Sequence, residues 1–490
     1  MTAPAPDGAG YDTVVGLEVH VQLTTHSKIF SGSSPAFGSQ PNASIDPVCL
    51  GLPGTLPVLN RAAVEAAVRL GLAAGCRINR RSRFARKHYF YPDLPKGFQI
   101  SQYEEPLCEG GVIPFRVRGD ARSVRLVRIH LEEDAGKSLH VSAGAGPAGA
   151  SHVDYNRAGV PLCEIVSEPD LRSADEAAEL MRAIRTLVRA LSVCDGNMEE
   201  GSLRCDANVS VRSRGVATLG TKTELKNLNS FKNVRDAVAY EARRQAARLD
   251  RGLRVAQETR LWDPARGVTA AMRSKEDAHD YRYFPEPDLP PLALDDTWIQ
   301  AVRAALPELP EARFARYTTV LSLPAEDADV LTADSETAAY FDAALSSAPA
   351  ASPKRIANWV INEVLPRVDH AGRLASDDVP VPAAALGELV ALIDSGALSG
   401  KLGKDVFGRM WSDQRSAREV IASGVAVELS DVGAVEQVCR RVVASHPDEA
   451  ARFRAGEQKL RGFFVGAVMK ETGGKANPKV VSEILSRVLA

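Results

Sequence analysis

Apolar and polar residues alternate along four segments in the first half of the chain. A period of two is typical of a β-strand that buries one face and leaves the other face polar. If these strands belong to one sheet, their polar faces place acids, histidine and amides side by side. The four segments are Val15–Leu23, Leu126–Asp134, Arg204–Arg212 and Thr221–Lys226.

The pattern changes to a helical period beyond a proline-rich segment, Pro285–Pro291. Prolines stiffen the backbone and end regular structure, so this segment is the clearest domain boundary in the sequence. An earlier helix is predicted after Ser173, because Ser173 and Glu176 form a capping-box pattern before an apolar run. Asn477 followed by Pro478 likewise predicts the start of the last helix.

Composition is that of an ordinary globular protein. The chain has 490 residues, of which 45% are apolar and 25% are charged. At ~150 residues per domain this length indicates roughly three domains. The net charge of −2 argues against a surface that binds polyanions throughout. Residues 436–490 contain ten Lys and Arg against six Asp and Glu, which fits a nucleic-acid surface and equally an ordinary helical bundle.

The cysteines and the chain start indicate the compartment. Seven cysteines are spread along the chain without a CxxC pair, which is typical of a reducing environment and argues against a zinc ribbon. The first ten residues resemble neither a signal nor a transit peptide. No apolar stretch reaches the length of a membrane span. We therefore expect a soluble cytoplasmic protein with no membrane partner.

Common nucleotide-binding and hydrolase motifs are missing from the sequence. Residues 144–149 match GxGxxG in letters, but they contain a proline and no helical pattern follows them. There is no P-loop motif, no GxSxG and no HExxH. If the protein uses ATP, it does so with a fold other than a P-loop.

Several carboxylates and a histidine stand where a cation could bind. Glu18 and His20 share one strand face and could hold a metal ion, although a solvated strand face is the simpler explanation for the pair alone. Three acids at residues 132–134 favour a hard cation such as Mg²⁺ or form only a charged turn. Glu164 interrupts an apolar strand, where a carboxylate is costly unless it is paired or binds a ligand.

A dense basic run from Arg77 to Lys87 leads into an aromatic segment, His88–Lys96. Interleaved bases and aromatic rings can bind phosphate or stack on nucleobases. A solvated basic loop has the same composition. Three aromatic residues followed by two prolines make an unusual loop and favour a functional interpretation.

Eight segments of the chain form a recognisable set when they are taken in order: Val15–Leu23, Pro47–Gly54, Tyr89–Lys96, Ile129–Lys137, Asp154–Val166, Gly201–Asn208, Thr223–Ser230 and Asp280–Pro285. Together they resemble the B subunits of the aspartyl/glutamyl-tRNA(Asn/Gln) amidotransferases. The resemblance covers essentially the whole chain, and residues 463–478 are similar to the family's tRNA-contacting tail. Ala158 and Cys163 depart from the family pattern, and residues 142–150 look like a local insertion.

This resemblance implies a two-step reaction that depends on ATP and Mg²⁺. The protein would phosphorylate the side-chain carboxylate of Glu-tRNA(Gln) or Asp-tRNA(Asn). The amidase (the A subunit) would release ammonia from glutamine, and a channel would conduct it to this site. The ammonia would then displace the phosphate to give Gln-tRNA(Gln) or Asn-tRNA(Asn). The small C subunit would complete the heterotrimer, and the assembly would be a carbon–nitrogen ligase.

The resemblance also implies site residues, position by position. The ammonia path is expected at Lys87, Tyr89 and Glu133. The metal ligands are expected among the six catalytic groups named below, with the exception of Asp206. The tail is expected to bind tRNA through Lys470, Lys475 and Lys479. The six catalytic groups are Glu18, His20, Glu132, Glu164, Asp206 and Glu224.

The predicted fold is α+β. An N-terminal catalytic cradle with a mixed or antiparallel sheet should precede an all-helical middle domain and a small helical tail domain. The predicted bounds are a disordered tail at 1–10, the cradle at 11–295, the middle domain at 296–406 and the tail domain at 407–490.

Two other functions remain open. The chain could be a tRNA-binding scaffold without catalysis of its own, but a scaffold has no need of Glu164 inside an apolar strand. It could be a metal-dependent kinase of a small carboxylic acid, but the basic tail argues against that function.

Overall fold

The computed structural model describes residues 10–140, 151–272, 281–368, 379–425, 432–473, 476 and 478–489. The chain divides into two compact units, Met1–Ala312 and Arg313–Ala490. Asn477, Lys475, the segment 142–150 and the GxGxxG-like pattern within it lie outside the described residues.

The first unit is built on β-strands. In chain order these strands are β1 (Tyr11–Gln22), β2 (Arg77–Ile78), β3 (Arg81–Ser82), β4 (Ala85–His88), β5 (Phe98–Ser101), β6 (Cys108–Glu109), β7 (Val112–Val117), β8 (Asp120–Glu133), β9 (Lys137–His140), β10 (Ser151–Asp154), β11 (Pro161–Ser167), β12 (Leu203–Ser213), β13 (Thr223–Lys226), β14 (Thr259–Asp263), β15 (Val268–Ala271), β16 (Phe284–Pro285) and β17 (Leu292–Ala293).

One large sheet carries most of these strands, in the order β15-β14-β13-β12-β1-β11-β8-β5-β4-β16, with β2, β6 and β7 attached around β8. Its pairs are antiparallel except for β13 and β14, which run parallel. The first strand of the chain therefore lies in the middle of the sheet, between β11 and β12.

Each of the four segments with period-two alternation forms a strand of this sheet, as predicted. On β1, Leu17, Val19 and Val21 are buried in the core, whereas Glu18 and His20 are only half-buried. The helices of the first unit pack against the apolar face of this sheet. The helices of the first unit are α1 (Arg61–Ala73), α2 (Ala174–Ala190), α3 (Phe231–Asp250) and α4 (Asp296–Ala304).

The predicted helix start at Ser173 is correct, but the capping box is only half formed. The Ser173 side chain accepts a hydrogen bond from the backbone N of Glu176 at 3.1 Å. The Glu176 carboxylate accepts from the backbone N of Arg172 at 2.6 Å instead of from that of Ser173. The second hydrogen bond of the capping box is therefore made to Arg172, the residue before the N-cap, and not to the N-cap itself.

The proline-rich segment packs within the first unit. Pro285 lies opposite Ala85 of β4, and Leu292 lies opposite Ser82 of β3. Helix α4 then contributes Ile299 to the same core. The segment predicted as a linker is thus tied down by strand pairing, and the first unit continues to residue 312.

The described residues of the second unit are mainly helical and form two separate apolar cores. Short non-α turns follow α8 at Val360–Val364 (π) and Leu365–Arg367 (3-10), and follow α11 at Ile421–Val425 (π). The helices are α5 (Pro310–Thr319), α6 (Ala325–Thr332), α7 (Ser335–Ser347), α8 (Pro353–Trp359), α9 (Ala383–Asp394), α10 (Gly400–Asp413), α11 (Ala417–Val420), α12 (Val432–Ser445), α13 (Pro447–Arg454), α14 (Leu460–Glu471) and α15 (Pro478–Leu489).

A continuous helix, α10, runs through the position where the tail domain was expected to begin. Phe407 is fully buried in the first of the two helical cores, together with Met410 and Val420. The second core begins with Val435 on α12. The structure therefore places the change of core after residue 420 and not at 407.

The α+β prediction, with helices following a large mixed sheet, is confirmed. All seven cysteines are free and buried. Among the described residues, no helix combines the length and the hydrophobicity that crossing a bilayer requires.

Candidate functional site

Three ligand-type side chains from three neighbouring strands meet on the polar face of the sheet. The Nε2 atom of His20 lies 3.6 Å from Oε2 of Glu164 and 3.8 Å from Oε1 of Glu132. One ligand atom from each residue lies within 4.8 Å of the other two. We call His20, Glu132 and Glu164 the acidic cluster.

Strand register explains why these residues meet. His20 on β1 lies directly opposite Glu164 on β11, and Glu164 lies directly opposite His130 on β8. Side chains at directly opposite positions project from the same face of the sheet. Glu132, two residues beyond His130, projects from that face as well, and Ser101 donates a hydrogen bond to its Oε2 at 3.3 Å.

His130 lies beside the acidic cluster, although the family resemblance did not include it among the site residues. Its Nε2 atom lies 3.6 Å from Glu164 Oε2 and 3.9 Å from Glu132 Oε2. Burial, followed by the charge of Arg128, lowers the pKa of His130 well below its ordinary value. The sequence contained a signal for this residue, since His130 shares the period-two face of Glu132.

The electrostatics of the cluster favour a bound cation. Burial and the neighbouring Arg204 lower the pKa of His20 to about 3, which keeps the imidazole neutral and able to act as a ligand. Burial, Glu132 and Glu18 raise the pKa of Glu164 to about 8. Two buried carboxylates that repel each other are stabilised by a divalent metal ion. The two carboxylates supply oxygen ligands of the kind that Mg²⁺ and Mn²⁺ prefer, and His20 adds an imidazole nitrogen beside them.

A second acidic pair lies one strand further along the sheet. Lys226 Nζ is 2.6 Å from Asp206 Oδ2 and 3.0 Å from Glu224 Oε1. Thr259 donates to the other oxygen of Glu224 at 2.6 Å. Burial opposes the charge of Lys226, but the two carboxylates raise its pKa above the ordinary value. Lys226 therefore offsets one of the two negative charges of this pair.

Glu18 connects the two groups of acids. It lies opposite Asp206 and accepts a hydrogen bond from Asn208 Nδ2 at 2.9 Å. Of the six expected catalytic groups, the structure brings His20, Glu132 and Glu164 within ligand distance. Glu18, Asp206 and Glu224 lie on the adjacent strands β1, β12 and β13 respectively.

The residues expected along the ammonia path divide between two environments. Lys87 on β4 faces the acidic cluster. Burial alone would lower the pKa of Lys87, but the charges of Glu132, Tyr283 and Glu164 raise it above its ordinary value. Burial raises the pKa of Tyr89 above its ordinary value. Glu133 is bonded elsewhere, because it pairs with Lys96 and accepts from the backbone N of Ile100 at 2.8 Å.

Most arginines of the basic run have partners inside the first unit. These contacts support the interpretation of the run as structural, apart from Lys87 at its end. The ion pairs are Arg77–Glu109, Arg80–Asp296, Arg83–Glu105 and Arg86–Glu286.

The tail lysines are only partly described. Lys470 is exposed on α14 beside Phe463 and His446, which line the same shallow pocket. Lys479 lies in α15. Lys475 is outside the described residues.

Comparisons with known proteins cover nearly the whole chain. The GatB/GatE catalytic domain family model matches residues 13–300, and the GatB domain model matches residues 339–489. Three similar proteins are each named as the B subunit of aspartyl/glutamyl-tRNA(Asn/Gln) amidotransferase. The one from Geotalea daltonii is 52% identical over 479 residues, which is 98% of this chain and 99% of that protein. Those from Anaeromyxobacter dehalogenans and Geobacter sulfurreducens are 53% and 51% identical, with the same coverage.

Proposed function

The chain belongs to the family of aspartyl/glutamyl-tRNA(Asn/Gln) amidotransferase B subunits, and on this premise we propose that it activates and amidates a carboxylate borne by tRNA. The substrates are Glu-tRNA(Gln) or Asp-tRNA(Asn), ATP and ammonia. The products are Gln-tRNA(Gln) or Asn-tRNA(Asn), ADP and phosphate. We also propose a cytoplasmic location, because the proposed reaction prepares aminoacyl-tRNA for protein synthesis.

The proposed reaction has two steps. A side-chain carboxylate oxygen of the aminoacyl group attacks the γ-phosphorus of ATP, the bond to the β-phosphate breaks, and an acyl phosphate and ADP form. Ammonia then attacks the acyl carbon, phosphate leaves with one proton of the ammonia, and the amide remains. The amidase, which is the A subunit, supplies the ammonia from glutamine, and the small C subunit completes the heterotrimer.

The acidic cluster is the observation that supports this proposal. His20, Glu132 and Glu164 would hold Mg²⁺, with Glu18 beside them. Bound there, Mg²⁺ would supply charge neutralisation between the anionic nucleotide and the anionic carboxylate. The strands hold these side chains in fixed positions. The side chains of Glu132 and Glu164 are only 4% and 12% exposed, and low exposure to water would protect an acyl phosphate from hydrolysis.

Glu164→Gln in the reconstituted heterotrimer tests the proposal. Gln keeps the size of the side chain but removes its charge, so ATP-dependent formation of Gln-tRNA should fall by at least about a hundredfold. Glutamine hydrolysis by the amidase should persist. The measurement is amide formation on misacylated tRNA, with ammonia release followed in parallel.

Glu168→Gln serves as the control, because Glu168 follows the same strand but lies outside the acidic cluster. The heterotrimer that carries Glu168→Gln should amidate misacylated tRNA at the wild-type rate. Unchanged amidation by Glu164→Gln would instead favour a tRNA-binding scaffold whose partner performs all the chemistry.

A further inference from the structure

Arg204 lies beside the acidic cluster and has no assigned role. It stands on β12 directly opposite His20. Its Nη2 donates to Oδ2 of Asp134 at 2.7 Å. Asp134 is fixed in turn, because Gln22 Nε2 donates to the same oxygen at 2.9 Å. The guanidinium is therefore oriented by a buried carboxylate that is itself held by a neighbouring strand.

Most of the donor capacity of Arg204 is unused. A guanidinium has five N–H groups in a planar fork. Among the described residues, neither the buried Nε of Arg204 nor its Nη1 has a hydrogen-bond partner. A buried donor without a partner is costly, and a bound acceptor would relieve that cost. The side chain is 32% exposed, so part of the guanidinium can be reached from outside.

Two cationic side chains flank the acidic cluster, and these could bind an anion next to a cation held by the cluster. Arg204 stands on the β12 side and Lys87 on the β4 side, with the acidic cluster on the strands between them. Burial opposes the charge of Arg204, but Asp134, Glu132 and Asp206 raise its pKa, so the guanidinium stays charged. A planar, permanently charged fork matches carboxylate and phosphate oxygens better than a lysine does.

We propose that Arg204 binds the reacting oxyanion at this site, with Asp134 as its positioning residue. The proposal rests on the proposed function and adds a group to it. The shared chemistry is that of an oxyanion, which is either the γ-phosphoryl group of ATP or the side-chain carboxylate of the aminoacyl group. Arg204 contributes by binding and orienting this group and takes no part in proton transfer.

Steady-state kinetics of Arg204→Gln and Arg204→Lys in the heterotrimer test the proposal. Loss of a charged hydrogen bond should lower kcat/KM for amidation by roughly ten- to a hundredfold in Arg204→Gln. Arg204→Lys keeps a charge next to Asp134 but loses the fork, and it should fall between wild type and Arg204→Gln. A rise in KM for ATP identifies the phosphoryl group as the ligand, and a rise in KM for the aminoacyl-tRNA identifies the carboxylate.

Arg212→Gln is the matched control. Arg212 lies on the same strand and face as Arg204, and its buried Nε makes no hydrogen bond to a described residue but lies 3.9 Å from Oδ2 of Asp12. It is eight residues away, which is roughly 27 Å along a strand. Its substitution should leave both KM values and kcat unchanged.

Thermal unfolding distinguishes a variant that has lost oxyanion binding from a variant that has lost its folded structure. Arg204→Lys with wild-type unfolding and full kcat/KM overturns the inference, because an ion pair to Asp134 is then all that the position provides. So does an Arg204→Gln variant with wild-type kinetics. If Arg204→Gln stays active while Glu164→Gln is inactive, only this inference fails; if both stay active, the proposed function fails as well.

Discussion

Glu164 shows how a carboxylate is accommodated inside an apolar strand. The residues on either side of it along β11, Cys163 and Ile165, are buried in the core. Its own side chain projects from the opposite face, between His20 and His130 on the two neighbouring strands. An isolated charge there would be costly, so the environment requires either a proton or a cation.

We expect Mg²⁺ to stabilise the folded chain through the acidic cluster. A ligand present at a hundred times its Kd stabilises a protein by about 2.7 kcal/mol. The midpoint of thermal unfolding should therefore rise when Mg²⁺ is added to the wild type, and it should not respond in Glu132→Gln. Mn²⁺ should act in the same way, because its ligand preferences are similar.

Glu133→Gln is the comparison for this measurement. Glu133 is adjacent to Glu132 in the chain, but it pairs with Lys96 and not with the acidic cluster. Its variant should keep the Mg²⁺ response even if its stability in the absence of metal is lower. A full response in Glu132→Gln would remove Glu132 from the metal site.

Asp46 makes the stability of the folded chain sensitive to acid. Its carboxylate accepts from Ser33 Oγ at 2.7 Å and from the backbone N of Cys49 at 2.8 Å. Burial opposes the charge, but the hydrogen bonds hold the pKa of Asp46 well below its ordinary value. The contribution is present above the unfolded pKa of ~4 and is lost as the pH falls through the folded pKa.

Urea unfolding at several pH values should show this contribution. The free energy of unfolding should decline more steeply below ~pH 4 in the wild type than in Asp46→Asn. Asp120→Asn, at an exposed strand end, should follow the wild-type profile. Parallel profiles for all three proteins would exclude Asp46 as the source.

At the residue scale, the sequence predicted the acids but not all of their neighbours. Period-two alternation placed Glu18 and His20 on one face, and the apolar surroundings of Glu164 marked it as unusual. Spacing within a strand does not reveal which strand lies beside it, and the register joins residues far apart in the chain. For this reason His130 and Arg204 became visible as neighbours of His20 and Glu164 only in the structure.

At the element scale, helix α2 offers a test of local stabilisation. Ser173 accepts from the backbone N of Glu176 at the helix start. Replacing an N-cap serine with alanine costs ~1 kcal/mol. Ser173→Ala should lower the free energy of unfolding by about that amount and leave amidation unchanged, as measured by urea unfolding and by the amidation assay.

The control for this test is Ser412→Ala. Ser412 lies near the end of α10, where its hydroxyl bonds only to groups nearby in the chain. Its loss should change stability by less than ~0.5 kcal/mol. Equal losses in the two variants would mean that the Ser173 cap has no special effect.

The sequence predicted long elements better than short ones. Strands such as β1 and β12 contain enough residues to show a period of two. Strands β2, β3, β6, β16 and β17 have two residues each, which is too few for any period to be read. The proline-rich segment shows the same limit, because β16 and β17 tie it to β4 and β3 through pairing that the sequence does not reveal.

At the scale of the whole molecule, the two helical cores decide where the tail can be removed. Truncation after residue 425 spares the first core, whose members extend to Val420. In the heterotrimer this truncation should raise KM for aminoacyl-tRNA by roughly tenfold or more, since the basic tail would contribute phosphate contacts. KM for ATP should change by less than about twofold. An equal effect on both substrates would argue against tRNA binding by the tail.

Truncation after residue 406 gives the contrasting result. It removes Phe407 and Met410 from the first helical core. Loss of a large buried side chain costs about 2–5 kcal/mol, so this shorter chain should unfold at lower temperature and be inactive for a structural reason. Thermal unfolding of the two truncated chains distinguishes these outcomes.

The central position of β1 has a consequence for synthesis on the ribosome. The strand is made first, but its partner β12 follows roughly 180 residues later. At 5–20 residues per second, β1 waits roughly 10 to 40 seconds for that partner. During this time an apolar strand has at least one unpaired edge, which invites association with other chains. The nascent chain is therefore expected to depend on chaperones early in translation, well before its active site exists.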